Sequence, residues 1–220
     1  ISYEVIIVDN NPAAGVEDML KKEFPDTRYR ALEKNFGFGG GMNRGIEIAK
    51  GRYILIFNPD IIVEPGSLEA MVQYMDNHPS VGVCGPRLKN PDGSLQYSCY
   101  RIPTPVDHYM IMNENHDEEM EVDALIGAAL FTRADLLRKI GLFDERFFMY
   151  YEDNDLCRRV WEEGSKVIYL PDAQMMHYHR RASADGGLFS QLTSRFAWIQ
   201  IASFIKYWLK YRKKPNPRSV

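Results

Sequence analysis

Glu4-Val-Ile-Ile-Val8 is a short apolar run of β-branched residues cut off by Asp9-Asn-Asn-Pro12, and Tyr53-Ile-Leu-Ile-Phe57 repeats the pattern, cut off by Asn58-Pro-Asp60. Apolar runs of this length without polar alternation read as buried strands, and each ends in a polar turn. Between and beyond them the period changes. Val16 to Phe24 carries helical spacing and stops near Pro25, and Arg28 to Leu32 is a second short strand. A glycine-rich turn, Asn35 to Gly41, precedes a helix from about Met42 to Lys50 that Gly51 closes, and Pro65 opens another running to about Asn77. This alternation predicts an α/β fold: a three-layer α/β/α sandwich with a mostly parallel central sheet. Ligands of such sheets sit beyond the carboxyl ends of the strands, so Asp9 and Asp60 are expected on one face.

The second half is less regular. Val81 to Arg101 reads as short strands and turns, with a hairpin tip at Asn90-Pro-Asp-Gly93. Asn113 to Asp123 holds six acids and is expected as an exposed loop, because a charge run is ordinarily a solvated surface. Leu125 to Phe131 is apolar and expected inside. Glu152 to Glu163 is helical, with Leu156, Val160 and Trp161 on one face, and Lys166 to Leu170 is a last strand stopped by Pro171.

The chain has 220 residues, 45% of them hydrophobic, enough for one globular core. Its three cysteines (Cys84, Cys99, Cys157) form no C-x-x-C and read as reduced thiols of a cytoplasmic protein. No apolar run has the roughly 18–20 residues of a membrane span, and no signal peptide is visible. The chain opens at Ile1, as expected of a segment inside a larger reading frame. The net charge of −3 hides an asymmetry: residues 188–220 hold seven Lys/Arg and no acid, leaving 20 bases against 30 acids in residues 1–187. An acidic body of this kind is a poor nucleic-acid surface, so no nucleic-acid partner is expected.

Four stretches could carry chemistry. In Asn35-Phe-Gly-Phe-Gly-Gly-Gly-Met-Asn43-Arg-Gly45 no G-x-G-x-x-G can be aligned, which argues against a nicotinamide-dependent oxidoreductase. The glycines still allow close backbone approach, and a helix N-terminus favours anions. Asn58-Pro-Asp60 offers a rigidly aimed carboxylate that can bind a hard divalent cation, although alone it is a common strand-end turn. Tyr150-Tyr-Glu152-Asp153-Asn-Asp155 puts three acids at a helix start. They complement the helix dipole, and beside Phe147-Phe-Met they also stand where a carboxyl pKa can rise into the general-base range. His177 and His179, two apart after the last strand, share a face suited to metal or phosphate contact.

Taken in order, Val8-Asp9-Asn10, Asn35-x-Gly-Phe-Gly-Gly-Gly-x-Asn43-x-Gly45, Asn58-Pro-Asp60, Gly127-Ala128, Gly141-x-Phe-Asp-Glu145, Glu152-Asp153-x-Asp155-Leu-Cys-x-Arg159 and Pro171-x-Ala-x-x-x-His177 resemble the family 2 inverting glycosyltransferases of GT-A fold, most closely their bacterial rhamnosyltransferase-like branch. The resemblance covers about residues 3–185. It implies a nucleoside-diphosphate sugar donor, a saccharide or lipid-linked saccharide acceptor, and a Mg²⁺ or Mn²⁺ cofactor in cell-surface polysaccharide synthesis. By the same resemblance Asp9 and Asn10 hold the base and ribose, and Asn35, Gly39, Gly40, Asn43 and Asn58 line the donor pocket. Asp60 and His177 hold the metal or diphosphate, and Asp153 is the general base with Glu152 its competitor. The family begins with a further strand and helix before Glu4, so a first β-α unit is missing from this stretch. The turn after Asn10 also departs from the family's Ser and Asp. These departures keep open a non-catalytic nucleotide-sugar-binding module or a fragment.

The expected organisation is a glycosyltransferase domain over residues 1–187, its nucleotide-sugar half about 1–100 and its acceptor half about 101–187, followed by a basic amphipathic helix and tail over 188–220. Phe196 to Leu209 contains one charge, Lys206. That suits either a helix packed on the domain or an interfacial helix at the inner face of the cell membrane.

Overall fold

The computed structural model describes residues 1–12, 15–103, 116–178 and 195–219. His179 and the start of the tail, residues 188–194, fall outside them, as do residues 113–115 of the acidic stretch. Eleven strands are described: β1 (Ile6–Asp9), β2 (Arg28–Ala31), β3 (Tyr53–Phe57), β4 (Ile61–Val63), β5 (Val81–Lys89), β6 (Leu95–Gln96), β7 (Cys99–Tyr100), β8 (Met120–Glu121), β9 (Ala124–Leu125), β10 (Ala129–Arg133) and β11 (Lys166–His177). The α-helices are α1 (Val16–Glu23), α2 (Gly37–Ile48), α3 (Ser67–Asn77), α4 (Ala134–Lys139), α5 (Glu152–Glu162) and α6 (Arg195–Tyr211).

The main sheet runs β3-β10-β5-β11-β4, with β6 beside β5 and β8 beside β11. Strands β1 and β2 pair in parallel with each other as a separate ribbon. The expected mostly parallel sheet is corrected to a mixed one. β11 lies parallel to β5, but β10 is antiparallel to both β3 and β5, and β4 is antiparallel to β11. The reason lies in the connection. The alternation of strands and helices does give β3 and β5 one direction, since both oppose β10, but the short β4 between them in sequence runs the other way. The apolar stretch Leu125 to Phe131 then enters between β3 and β5 from the opposite end of the sheet, which hydropathy alone does not reveal.

The sheet is covered on both faces, and alternation along its strands divides the core. Val83, Leu130, Val167 and Tyr169 face Ile46 of α2, Leu136 and Leu137 of α4, and Leu156, Cys157 and Val160 of α5. Their neighbours Cys84, Phe131, Ile168 and Leu170 face Met71 and Met75 of α3. All three cysteines are buried, and none forms a disulfide among the described residues.

Two boundaries differ from expectation in ways that matter for the site. The glycine-rich segment is helix rather than turn: α2 begins at Gly37, whose φ of 78° suits glycine and whose Cβ would stand 2.0 Å from the Phe148 carbonyl oxygen. The last strand does not stop at Pro171 either. Its pairing with β5 shifts register between Leu170 and Gln174, a bulge that accommodates the missing amide, and β11 continues to His177. The hairpin tip at Asn90–Gly93 is as expected, with the Gly93 amide donating to the Asn90 carbonyl.

Candidate active site

The continuation of β11 past Pro171 delivers His177 opposite Ile61 in the ladder with β4, directly after the Asn58-Pro-Asp60 turn. His177 is 1% exposed in its side chain, and its Nε2 lies 3.3 Å from Asp60 Oδ1. Its other nitrogen, Nδ1, is 2.7 Å from the Gln96 side-chain oxygen. An amide oxygen accepts, so Nδ1 donates to it and Nε2 is turned to the Asp60 carboxylate, where an unprotonated Nε2 is a second acceptor. Two acceptors facing each other repel unless a positive charge lies between them. Two cis ligands of one octahedral cation stand ~3 Å apart at ordinary bond lengths, so the spacing and the donor types, one carboxylate and one imidazole, fit a divalent cation. No cluster of three or more His, Cys, Asp or Glu suited to a metal occurs among the described residues. The remaining ligands therefore have to come from substrate phosphates and water, a common arrangement for Mg²⁺.

The acid pair is organised separately. Tyr150 and Tyr151 have φ of 69° and 68°, left-handed values that non-glycine residues adopt at a cost, and this double twist starts α5 at Glu152. Asp153 is half-buried. Its Oδ2 accepts the Gly127 amide at 2.9 Å, and its Oδ1 accepts the backbone and side-chain amides of Asn154 at 2.8 and 3.1 Å. Burial raises its pKa, while those three donors temper the rise. Glu152 is 6% exposed, and burial first, then the neighbouring Asp153, pushes its carboxyl well above the usual range. Its Oε2 has no hydrogen-bond partner. Asp153 is thus the hydrogen-bonded carboxylate of the buried pair, and Glu152 the one whose Oε2 has no hydrogen-bond partner among the described residues.

One backbone segment joins the two clusters. The Asn58 amide donates to the Ala128 carbonyl at 3.0 Å, while the adjacent Gly127 amide binds Asp153. A Cβ on Gly127 would meet the Phe38 ring at a tight 3.3 Å and Asp153 Cβ at an ordinary 3.5 Å, so the segment passes close to both. Gly127-Ala128 thereby sets the spacing between the Asp60–His177 pair and the acids of α5.

The remaining expected residues are brought elsewhere. Asn10 ties the end of β1 to the start of α2: its Nδ2 donates to the Gly37 carbonyl and its Oδ1 accepts the Phe36 amide, both at 3.1 Å. Asn35 is exposed, its Oδ1 accepting the Gly37 amide at 2.8 Å. Asp9 accepts the Tyr29 hydroxyl at 2.8 Å and the Asn11 amide at 2.7 Å. Asn43 is buried. Its Nδ2 donates to the Phe143 carbonyl and Glu145, and its Oδ1 accepts the Phe143 amide, which fixes the loop before α5. Gly39 and Gly40 are buried in α2, where a Cβ would meet Phe143 Cβ at 2.9 Å and Phe36 Cβ at 2.8 Å. They allow tight packing of α2 within the protein. Asp9 and Asp60 share no hydrogen bond or ion pair among the described residues. Gln96 was missed by sequence reasoning, and nothing in a two-residue strand signals its contact 81 positions away.

Comparison with known proteins then settles the family. The model for "Glycosyl transferase family 2" matches residues 2–141. The chain belongs to glycosyl transferase family 2. It is 28% identical over 202 residues to the N-acetylglucosaminyl-diphospho-decaprenol L-rhamnosyltransferase of Mycobacterium tuberculosis, covering 79% of this chain and 66% of that protein. It is 26% identical over 236 residues to the rhamnosyltransferase WbbL of Escherichia coli, covering 97% and 85%. Among solved structures, GalNAc-T7 with UDP, GalNAc and Mn²⁺ superposes with a TM-score of 0.73 at 12% identity, covering 96% of this chain and 42% of that one. The mannosyltransferase PcManGT of Pyrobaculum calidifontis with GDP-Man and Mn²⁺ gives 0.64 at 16% identity, covering 97% and 57%. These neighbours establish a GT-A glycosyltransferase fold. The chain spans just under two thirds of the mycobacterial relative's length and about two fifths of GalNAc-T7.

Proposed function

We propose that this glycosyltransferase domain moves a hexosyl group, with rhamnose the leading candidate, from a nucleoside-diphosphate sugar to a saccharide or lipid-linked saccharide, inverting the anomeric carbon. The work belongs to cell-surface polysaccharide synthesis at the inner face of the membrane. One observation carries the reading: Gly127-Ala128 bonds Asn58, at the base of the turn that carries Asp60 to His177, on one side and Asp153 on the other. A transfer of this kind needs a diphosphate-holding side and an acceptor-activating side at fixed spacing. Asp153 takes the proton of the acceptor hydroxyl as its oxygen bonds to the anomeric carbon. The bond from that carbon to the diphosphate oxygen breaks, and nucleoside diphosphate leaves with the electron pair. Asp60 and His177 would hold a divalent cation, which would supply charge neutralisation for the leaving diphosphate. The rhamnosyl assignment follows the names of the relatives, and the lipid-linked acceptor class follows that of the mycobacterial one.

A second reading is nucleotide-sugar binding without turnover. Melting curves with a panel of nucleoside diphosphates, with and without Mn²⁺, test donor binding, since a native-state ligand raises apparent stability. A metal-dependent rise with one nucleotide supports the donor site and names its base. Transfer assays then separate the two readings. Turnover that Asp153→Asn abolishes supports the transferase, whereas a nucleotide-induced rise without turnover supports the binding module.

A further inference from the structure

Helix α6 has two apolar sides, and the protein covers one of them. Ser203, Tyr207 and Tyr211 face inward, with Tyr207 and Tyr211 joining Phe147 and Tyr151 in an aromatic cluster. On the opposite side Trp198 (62% exposed), Ile201, Ile205, Trp208 and Leu209 stand open to solvent. Their spacing of three, four, three and one places them on a single stripe. A helix that packs on its own domain normally turns polar residues outward; this one turns outward two tryptophans and three aliphatic residues.

The charges around the stripe identify what it meets. Lys210, Lys214 and Arg218 are ion-paired to acids of the body: Asp144 and Asp155, Glu162, and Asp123 respectively. The other four cations of the tail, Arg195, Lys206, Arg212 and Lys213, have no acidic partner among the described residues. They occur at both ends of α6 and beside the stripe, and Arg212 lies over the Trp208 ring. An apolar stripe with tryptophans and unneutralised cations matches the boundary between acyl chains and anionic headgroups. A second copy of the chain fits less well. Five large side chains fall short of the ~800 Å² per partner of a standard interface, and the flanking cations would repel their own copies. No described helix is long and apolar enough to cross a membrane, so the contact is one of lying on the surface.

We propose that the outward stripe of α6, Trp198, Ile201, Ile205, Trp208 and Leu209, docks the protein onto an anionic lipid bilayer. The proposal deepens the transferase reading by naming where a lipid-linked acceptor is met, and it rests on that reading only for this purpose. Co-flotation of the full chain with phosphatidylcholine vesicles, with and without phosphatidylglycerol, tests it. The wild type is expected to float with the phosphatidylglycerol vesicles. The triple variant Trp198→Ser, Ile205→Ser, Trp208→Ser should lose about tenfold in partitioning, and Arg212→Glu with Lys213→Glu should lose most of the lipid-charge dependence. Both variants change exposed side chains and should melt as the wild type does. Wild-type protein that stays in the dense fraction overturns the proposal, as does a triple variant that floats like wild type. A wild-type dimer in light scattering that the triple variant converts to monomer also overturns it. Transfer to a short water-soluble acceptor is expected to survive in the triple variant. A wild type that floats but transfers to no acceptor supports the docking while counting against the transferase reading.

Discussion

Glu152 and Asp153 are adjacent in sequence yet unlike in surroundings, and that difference assigns their roles. A carboxyl whose pKa is raised on folding holds its proton in the native state after the unfolded chain has lost it. Stability therefore falls as pH rises above the ordinary value of 4.5 through the native value. Glu152→Gln removes that penalty. The variant should melt above the wild type at pH 7, with the gap closing below about pH 4.5, and it should keep transfer activity if the enclosed carboxyl is protonated at rest. Asp153→Asn should reduce kcat by roughly 10²–10⁴, the usual share of a general base. A profile of rate against pH should rise through an apparent pKa above the ordinary aspartate range. Gln96 belongs to the same scale. With Gln96→Leu, His177 loses the acceptor that fixes its tautomer, and Mn²⁺ affinity read by paramagnetic resonance should weaken about 10–100-fold. Asp60 and His177 were both visible in the sequence, one as a strand-end acid and the other as a histidine at strand spacing. The resemblance put them on one metal or diphosphate site, but the route that brings them together was not legible, because it depends on β11 carrying on through a bulge at Pro171.

At the scale of elements, α6 props up the least relaxed backbone near the candidate site. The Ser203 hydroxyl donates to the Met149 carbonyl at 2.8 Å, and the Tyr151 ring packs on Phe204 and Tyr207. These contacts hold the two left-handed tyrosines that aim the start of α5. One turn further, fully buried Asp155 accepts the Tyr211 hydroxyl at 2.7 Å and pairs with Lys210 and Arg159. Tyr207→Ala should cost about 3–5 kcal/mol by analogy with other buried aromatic truncations. It should also lower kcat more than it raises the donor KM, since it loosens α5 rather than the metal pair. Asp155→Asn leaves Arg159 without its counter-charge and Lys210 with Asp144 alone, and chemical denaturation should register a loss of about 3–5 kcal/mol. Of the alternatives posed for the tail, packing on the domain is met by one side of the helix, and the exposed opposite side is the one proposed to meet a membrane. Hydropathy could not separate them because both sides are apolar. The glycine-rich segment was misread as a turn for a related reason: glycine's low helix propensity is overridden where Phe143, Phe36 and Phe148 leave no room for a Cβ.

For the whole molecule, the order of strands in space differs from their order in sequence. The common direction of β3 and β5 was legible, since the alternation of strands and helices sets it locally; the reversed β4 and the separate β1–β2 ribbon were not. The central position of β10 was not, because a strand's neighbours are chosen by long-range pairing. That position constrains how the chain can be made. β3 ends at Phe57 and waits for Ala129 to Arg133, while Val81 to Lys89 waits for Lys166 to Met176. At ~5–20 residues per second, the roughly 70 residues between β3 and β10 take about 4–14 s to leave the ribosome. Throughout that interval β3 and β5 are half-made edges with no β10 between them. Stalled nascent chains with their last exposed residue before Ala129 should be cut freely by protease, and protection should arrive once residues through His177 have emerged. A nascent chain of this kind depends on whatever shields open strand edges during synthesis. The β10 insertion therefore makes early termination costly for the cell as well as for the enzyme.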